Sequence, residues 1–367
     1  MSHGSRNLFA WLLLAALADA SGIPDVKLGL VAPPSEANAV SFQRGVQLAV
    51  ANANEAGEAQ VALEVRSQDG QWGSSGNDAV QLVSDLRADA IISPSDGATN
   101  HLILQVSGRT QVPVASLCSD SSVTSTGVIW AVRVVPRTDQ EAEALFASAS
   151  RPDQSAPTWW AVVPKGRPGR AVRHDLEVAA RVTGTHLEQI LDALEAKTDP
   201  EAQVHLIVAA APDGVLTWLA PLQAGKLAAA LRAAGYKGQL AGPSPLDSPE
   251  FFSAAGSAAD GVRITLFRVD PDFRSRAEGF EGQFRKRFDS TPDFAATAAY
   301  DAARVLIEAL RRGKQDAGYR QFPVTLPVAG AKGDLHFDNL GNRTDALQVM
   351  TCKQGCFIPL LAGETKS

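Results

Sequence analysis

The chain has 367 residues, enough for two domains of ordinary size. Its formal net charge of -6 and the lack of any long Lys/Arg stripe exclude a nucleic-acid binder, because nothing would neutralise a row of phosphates. With 45% hydrophobic residues it reads as globular, which excludes a disordered or fibrous chain.

Arg6 precedes the apolar run LFAWLLLAALADA, which ends in small residues at Ala18 and Ala20. A basic start, an apolar middle and a small-residue end predict a secretory signal peptide over residues 1–20, too short to span a bilayer comfortably. No Cys stands at its end to carry a lipid, and no later stretch approaches transmembrane length. The expectation is an exported protein without stable membrane insertion.

Residues 26–31 (VKLGLV) form an apolar strand, and Phe42, Val46, Ala49, Val50 and Ala53 then recur at helical spacing until Gly57. Residues 61–65 alternate as a strand, the loop RSQDGQWGSSGND exposes Trp72, and Ala79, Val80, Leu82, Val83 and Leu86 mark a second helix. Strands alternating with helices predict a doubly wound sheet with right-handed crossovers. Residues 90–93 and 111–116 are short β-branched runs, each ending in a loop rich in Ser, Asp and Thr. At the carboxyl ends of parallel strands such loops gather donors around a crevice. The helix between them, 99–110, has Ser95, Asp96 and Thr99 at its start, where a carboxylate or phosphate would meet unpaired N–H groups. These hydroxyls can also serve only as caps and turns. Repetition after the next strand, at Ser116, Ser119, Asp120, Ser121 and Ser122, favours a small-molecule site.

A strand over 127–133 and a helix from VPRTDQEAEALF lead into a second series. It comprises a strand at 158–163 (TWWAVV), a helix over Val172, Leu176, Ala179, Ala180 and Val182, a strand at 205–209, a helix at 216–234, and strands at 239–242 and 261–267. A second lobe of the same architecture is the simplest reading. Two long helices follow, 273–288 and 295–312; in the latter Ala298, Ala299, Ala302, Val305, Leu306 and Leu310 form the buried stripe while Asp301, Arg304 and Arg311 stay outside. The tail from Gly330 is a turn-rich series of short strands ending in VMTCKQGCFIPL. There a three-residue connection containing Gly places Cys352 opposite Cys356, which an oxidising compartment would join as a disulfide. The spacing also suits a metal pair, but no His or second Cys pair lies nearby, so the disulfide is favoured. Cys118 reads as a small buried residue, since no base adjoins it.

Taken in order, VKLGLVAP, FQRGVQLAVANANEAG, VSDLRADAIISP, TQVPVAS, AAALRAAGYKGQLAG, SPEFFSAAGSAADGV, TPDFAATAAYDAARVLIEAL and GDLHFDNLGNR resemble the exported solute-binding proteins of the leucine/isoleucine/valine-binding family, over residues 26–359. The resemblance implies a type I periplasmic-binding-protein-like α/β fold, with two doubly wound parallel-sheet lobes joined by a three-strand hinge and closing like a Venus flytrap. Carried over, lobe one is 23–135 with 270–320, and lobe two is 136–269 with 321–361, including the C-terminal hairpin. Lobe one would hold an amino-acid carboxylate at Ala98, Thr99, Ser119 and Ser121.

Lobe two departs from the family pattern. Arg167-Pro168-Gly169-Arg170 stands where amino-acid binders carry Tyr-Gly, and Pro243-Ser244-Pro245 stands where they place an acidic residue. A buried ammonium without a carboxylate is costly, so the expected solute is acidic, oxygen-rich or ring-bearing rather than a standard aliphatic amino acid. Lys165, Arg167 and Arg170 either face that solute or form a solvated loop. Trp72, ahead of Trp218, is the candidate aromatic wall, with ordinary packing as the alternative. The expected ligand set is therefore Trp72, Ser95, Asp96, Ala98, Thr99, Ser119, Ser121, Arg167 and Ser244.

The function implied is capture of a small solute in the periplasm by a monomer and its delivery to an inner-membrane ABC importer permease. The alternative is a sensor that passes its closed state to a membrane receptor. Neither G-x-S-x-G nor H-E-x-x-H appears, and APPSEAN occupies the place of a dinucleotide glycine loop, so no catalytic residue, metal or cofactor is expected.

Overall fold

The computed structural model describes residues 26–33, 36–67, 74–149, 157–193, 200–315 and 327–361. The predicted signal peptide and Trp72 lie outside these residues. The first sheet is built from β1 (Val26–Ala32), β2 (Val61–Ser67), β3 (Ala90–Ser93), β4 (Val114–Ser116) and β5 (Ala131–Arg133), in the order β2-β1-β3-β4-β5 and parallel throughout. Helices α1 (Glu36–Glu55), α2 (Ser74–Ser84) and α3 (Gly97–Thr110) supply the crossovers. All four residues of β3 are buried, as a strand covered on both faces requires.

After α4 (Thr138–Ala147) the second sheet begins. It contains β6 (Thr158–Val163), β7 (His186–Asp192), β8 (Gly214–Thr217), β9 (Gln239–Ala241) and β10 (Arg263–Phe267), interleaved with α5 (Arg167–Thr183), α6 (Pro200–Ala210), α7 (Pro221–Ala233) and α8 (Pro249–Ala255). The chain then crosses back to α9 (Arg274–Phe288) and α10 (Phe294–Gln315), which pack with α1 into the core of the first sheet. The short pair β11 (Val328–Ala329) and β12 (Asp334–Leu335) precedes the last crossing. Strands β13 (Leu347–Lys353) and β14 (Cys356–Pro359) complete the second sheet, in the order β14-β13-β10-β9-β8-β6-β7. The result is two α/β lobes joined by connecting segments.

Several expectations are corrected. Residues 205–209 lie inside α6, and the strand sought there is β8, at the start of the stretch read as helix. The run HLIVAA is apolar enough for either state, and Pro200 at its first turn opens a helix. Strand β7 was missed because it is a sheet edge with no fully buried residue, so it lacks the apolar signature of its neighbours. Asp301 is buried rather than outside, in an ion pair with Arg343 at 2.9 Å.

The disulfide is also overturned: Cys118, Cys352 and Cys356 are free thiols. Lys353 pairs with Cys356 and Cys352 with Phe357, so the connection holds two residues, Gln354 and Gly355, both with positive φ. That is the turn whose twist suits a tight hairpin. A one-residue change of register sends the two Cys side chains to opposite faces, Cys352 inward and Cys356 to solvent.

Candidate functional site

Both parallel strand sets end at the junction between lobes. In lobe one, Asn100 binds the ends of β3 and β4 together: its Oδ1 accepts from Ser93 Oγ at 2.6 Å and Ser116 Oγ at 2.7 Å. Its Nδ2 donates to the carbonyls of Pro94 and Asp96 at 2.7 and 2.8 Å. Asp96 caps α3, accepting from Thr99 N at 2.6 Å. Asp120 caps the following 3-10 turn, accepting from Ser122 N and Oγ at 2.9 and 2.7 Å. The two loops touch, since a Cβ on Gly97 would meet Asp120 Oδ2 at 2.6 Å. Their carboxylates are thus engaged as caps, while Ser95 is exposed and Ala98, Ser119 and Ser121 are partly exposed.

The loop after β4 reaches the other lobe. Ser121 Oγ donates to Asp175 Oδ1 on α5 at 2.8 Å. Asp175 is 4% exposed, its Oδ2 has no partner among the described residues, and burial raises its carboxyl above the usual range. At the start of α5, Lys165, Arg167 and Arg170 are exposed. Ser244, in the loop after β9, is fully buried and turned inward, where its N donates to Glu141 Oε1 at 2.7 Å and its hydroxyl donates to the same oxygen. Thr265 Oγ1 adds a third donor at 2.9 Å. Glu141 Oε2 has no partner among the described residues, and burial pushes the carboxyl up to about 7 against these hydrogen bonds.

A groove of about 860 Å³ runs beside the connecting segments, between the start of α10 and the β10–β13–β14 edge. Asp247, Phe252, Phe267, Phe294 and Lys332 line it, and none of the ligand residues chosen from sequence does. Burial pushes Asp247 up to about 6, with Lys332 opposing the shift and Asp293 and Glu281 adding to it. Arg343 closes one wall, paired with Asp301 and Asp345 and stacked 3.8 Å from the Phe267 ring centroid. We place the candidate site at the strand-end loops, where the Ser/Asp-rich loop of lobe one meets lobe two through Ser121 and Asp175.

Residues 25–353 match the family model described as periplasmic binding protein. The chain belongs to the periplasmic binding protein family. No curated protein matches it in sequence. Among solved structures it is similar to the branched-chain amino acid transporter substrate-binding protein LivJ of Streptococcus pneumoniae in complex with isoleucine. That match has 17% identity and a TM-score of 0.79, covering 90% of this chain and 97% of that one. The leucine-binding protein LivK of Thermotoga maritima gives 18% identity and a TM-score of 0.79, covering 92% and 98%. A solute-binding protein of an ABC transporter from R. palustris, in complex with benzoate, gives 16% identity and a TM-score of 0.78, covering 91% and 95%. At such identities these structures establish the type I fold.

This periplasmic binding protein carries a binding fold with no catalytic signature. Among the described residues no group of His, Cys, Asp and Glu is placed to hold a metal, and no helix is long and apolar enough to cross a membrane. Cys118 is buried and its thiol is pushed up to about 12 by desolvation, which makes it inert. Trp218 packs in the core between α4, α5 and the sheet. Sequence reasoning missed three buried charges around the loops: Arg133, Glu141 and Asp175. The run VRVVPRTDQEAEALF and the third turn of α5 read as ordinary amphipathic patterns, and nothing local marks which charge turns inward.

Proposed function

We propose that this binding protein captures a small solute between its lobes outside the cytoplasm and delivers it to an ABC importer, closing about the connecting segments. Lobe one binds first, through Ser95, Ala98, Thr99, Ser119 and Ser121, and lobe two closes with Arg167 at its rim. Oriented hydroxyls and N–H groups at strand ends replace the water around an anionic or oxygen-rich group. The preferred solute is acidic or ring-bearing rather than an aliphatic amino acid. Support for that class comes from the benzoate bound by the R. palustris relative in fold.

The observation that carries the reading is the 2.8 Å contact from Ser121 to Asp175, which sets the lobe-one donor loop directly against lobe two. Native mass spectrometry of gently purified protein tests it. The expected result is one co-purified solute bearing a carboxylate or several oxygens. A protein that carries none and gives no heat with benzoate or dihydroxybenzoate, or one that gives heat with L-isoleucine alone, would contradict the reading.

A further inference from the structure

Arg133 is the last residue of β5, is 0% exposed, and among the described residues pairs with no carboxylate. Its charge is met by neutral oxygens instead. Nη1 donates to the carbonyls of Cys118 and Asp120 at 2.8 and 2.7 Å. Nη2 donates to Thr124 Oγ1 at 3.0 Å and Ser121 O at 3.4 Å, and Nε donates to Asn342 Oδ1 at 3.3 Å. Every one of these acceptors except Asn342 belongs to the loop after β4.

Asn342 lies in the last segment to cross between the lobes. Residues 341–343 run beside β5: Arg133 N donates to Gly341 O at 2.8 Å, and Arg343 N donates to Arg133 O at 3.2 Å. Asn342 Oδ1 also accepts from Thr124 Oγ1 at 2.7 Å, and Asp338 holds the same residue through its N at 2.8 Å. Loop, β5 and crossing segment therefore share one buried set of bonds around a single cation.

We propose that Arg133 is a positioning residue that sets the solute-binding loop and couples it to the connecting segment through Asn342. In a planar trans peptide the N–H points opposite to the C=O. Carbonyls of Cys118 and Asp120 drawn toward Arg133 consequently turn the N–H groups of Ser119 and Ser121 away from it, and that of Ser121 meets Asp175 of lobe two. A guanidinium reaches five fixed oxygens here through three nitrogens of a rigid fork, whereas an ammonium has three donors on one nitrogen. Displacement of Asn342 as the lobes rotate acts on that fork and so on the loop.

The inference rests on the reading that residues 119–121 hold solute, and its test does not. Amide hydrogen exchange is measured on the full chain as wild type, Arg133→Lys and Asn342→Leu, without added solute. Arg133→Lys keeps the charge and loses the fork, whereas Asn342→Leu leaves Arg133 intact and cuts its tie to the crossing segment. Exchange at 121–123, whose amides donate to Asp175 and Asp120, is expected to rise about tenfold or more in both, with β1 and β3 unchanged. Should Arg133→Lys not fold, Asn342→Leu alone decides. Wild-type exchange at 121–123 in the folded variants would overturn the proposal. A benzoate titration of the same proteins separates the two ideas, because faster exchange with unchanged benzoate affinity upholds the clamp and removes the loop from the solute site.

Discussion

The two lobes finish the same sheet plan with buried charges of opposite sign. Behind the lobe-one loop the charge is Arg133, a permanent cation surrounded by carbonyl and hydroxyl oxygens. Behind the lobe-two loop it is Glu141, whose one carboxylate oxygen takes three donors and whose other takes none among the described residues. An arginine keeps its charge at any physiological pH and holds its loop regardless. A carboxyl pushed up to about 7 changes charge near neutral pH. The lobe-one loop thus packs on a permanent charge and the lobe-two loop on a titratable one.

The largest expected effect lies where the lobes are joined. Asp301→Ala leaves Arg343 buried without one of its two carboxylate partners, and should cost about 3–5 kcal/mol in urea unfolding. A loss below about 1 kcal/mol would show that Asp345 alone satisfies Arg343 and that the junction is not held by this pair.

The second prediction tests the contrast of charges through pH. Glu141 has an ordinary value of 4.5 and a folded value of about 7, so between these the folded state holds more proton than the unfolded one. Its contribution to stability is therefore best below pH 4.5 and falls as pH rises toward 7, by roughly 3 kcal/mol. Glu141→Gln should remove that part of the slope in denaturation curves taken between pH 5 and 8. An unchanged slope would mean that Glu141 is not the group responsible.

How far the sequence reveals this arrangement differs between fold and site. Strand–helix alternation and the two Ser/Asp-rich strand ends were readable because parallel strands leave near-continuous apolar runs, as in AIIS and TWWAVV. Edge strand β7 left no such mark, and HLIVAA fitted helix and strand equally. At the site, residue type located the loops but not the direction of each side chain. Asp96 and Asp120 turned out to cap helical turns, and Ser244 faces Glu141 in the lobe-two interior. Arg133, Glu141 and Asp301 were invisible because inward orientation of a charge depends on partners distant in sequence, such as Asn342, Thr265 and Arg343.

Thr99→Val should weaken solute binding by roughly 1–3 kcal/mol in calorimetry, by leaving a buried polar group of the solute unpaired. Equal affinity would take Thr99 out of the site. Cys356→Ser, at an exposed hairpin position with no disulfide to lose, should change stability by less than about 0.5 kcal/mol, and reductant should leave the melting temperature unchanged.

Hydrogen exchange of the protein with and without its co-purified solute bears most directly on where that solute sits. Capture between the lobes predicts simultaneous protection of 93–99 and 116–122 in lobe one and of 164–167 in lobe two. Protection confined to 247–252 and 291–298, which line the groove beside the connecting segments, would contradict it.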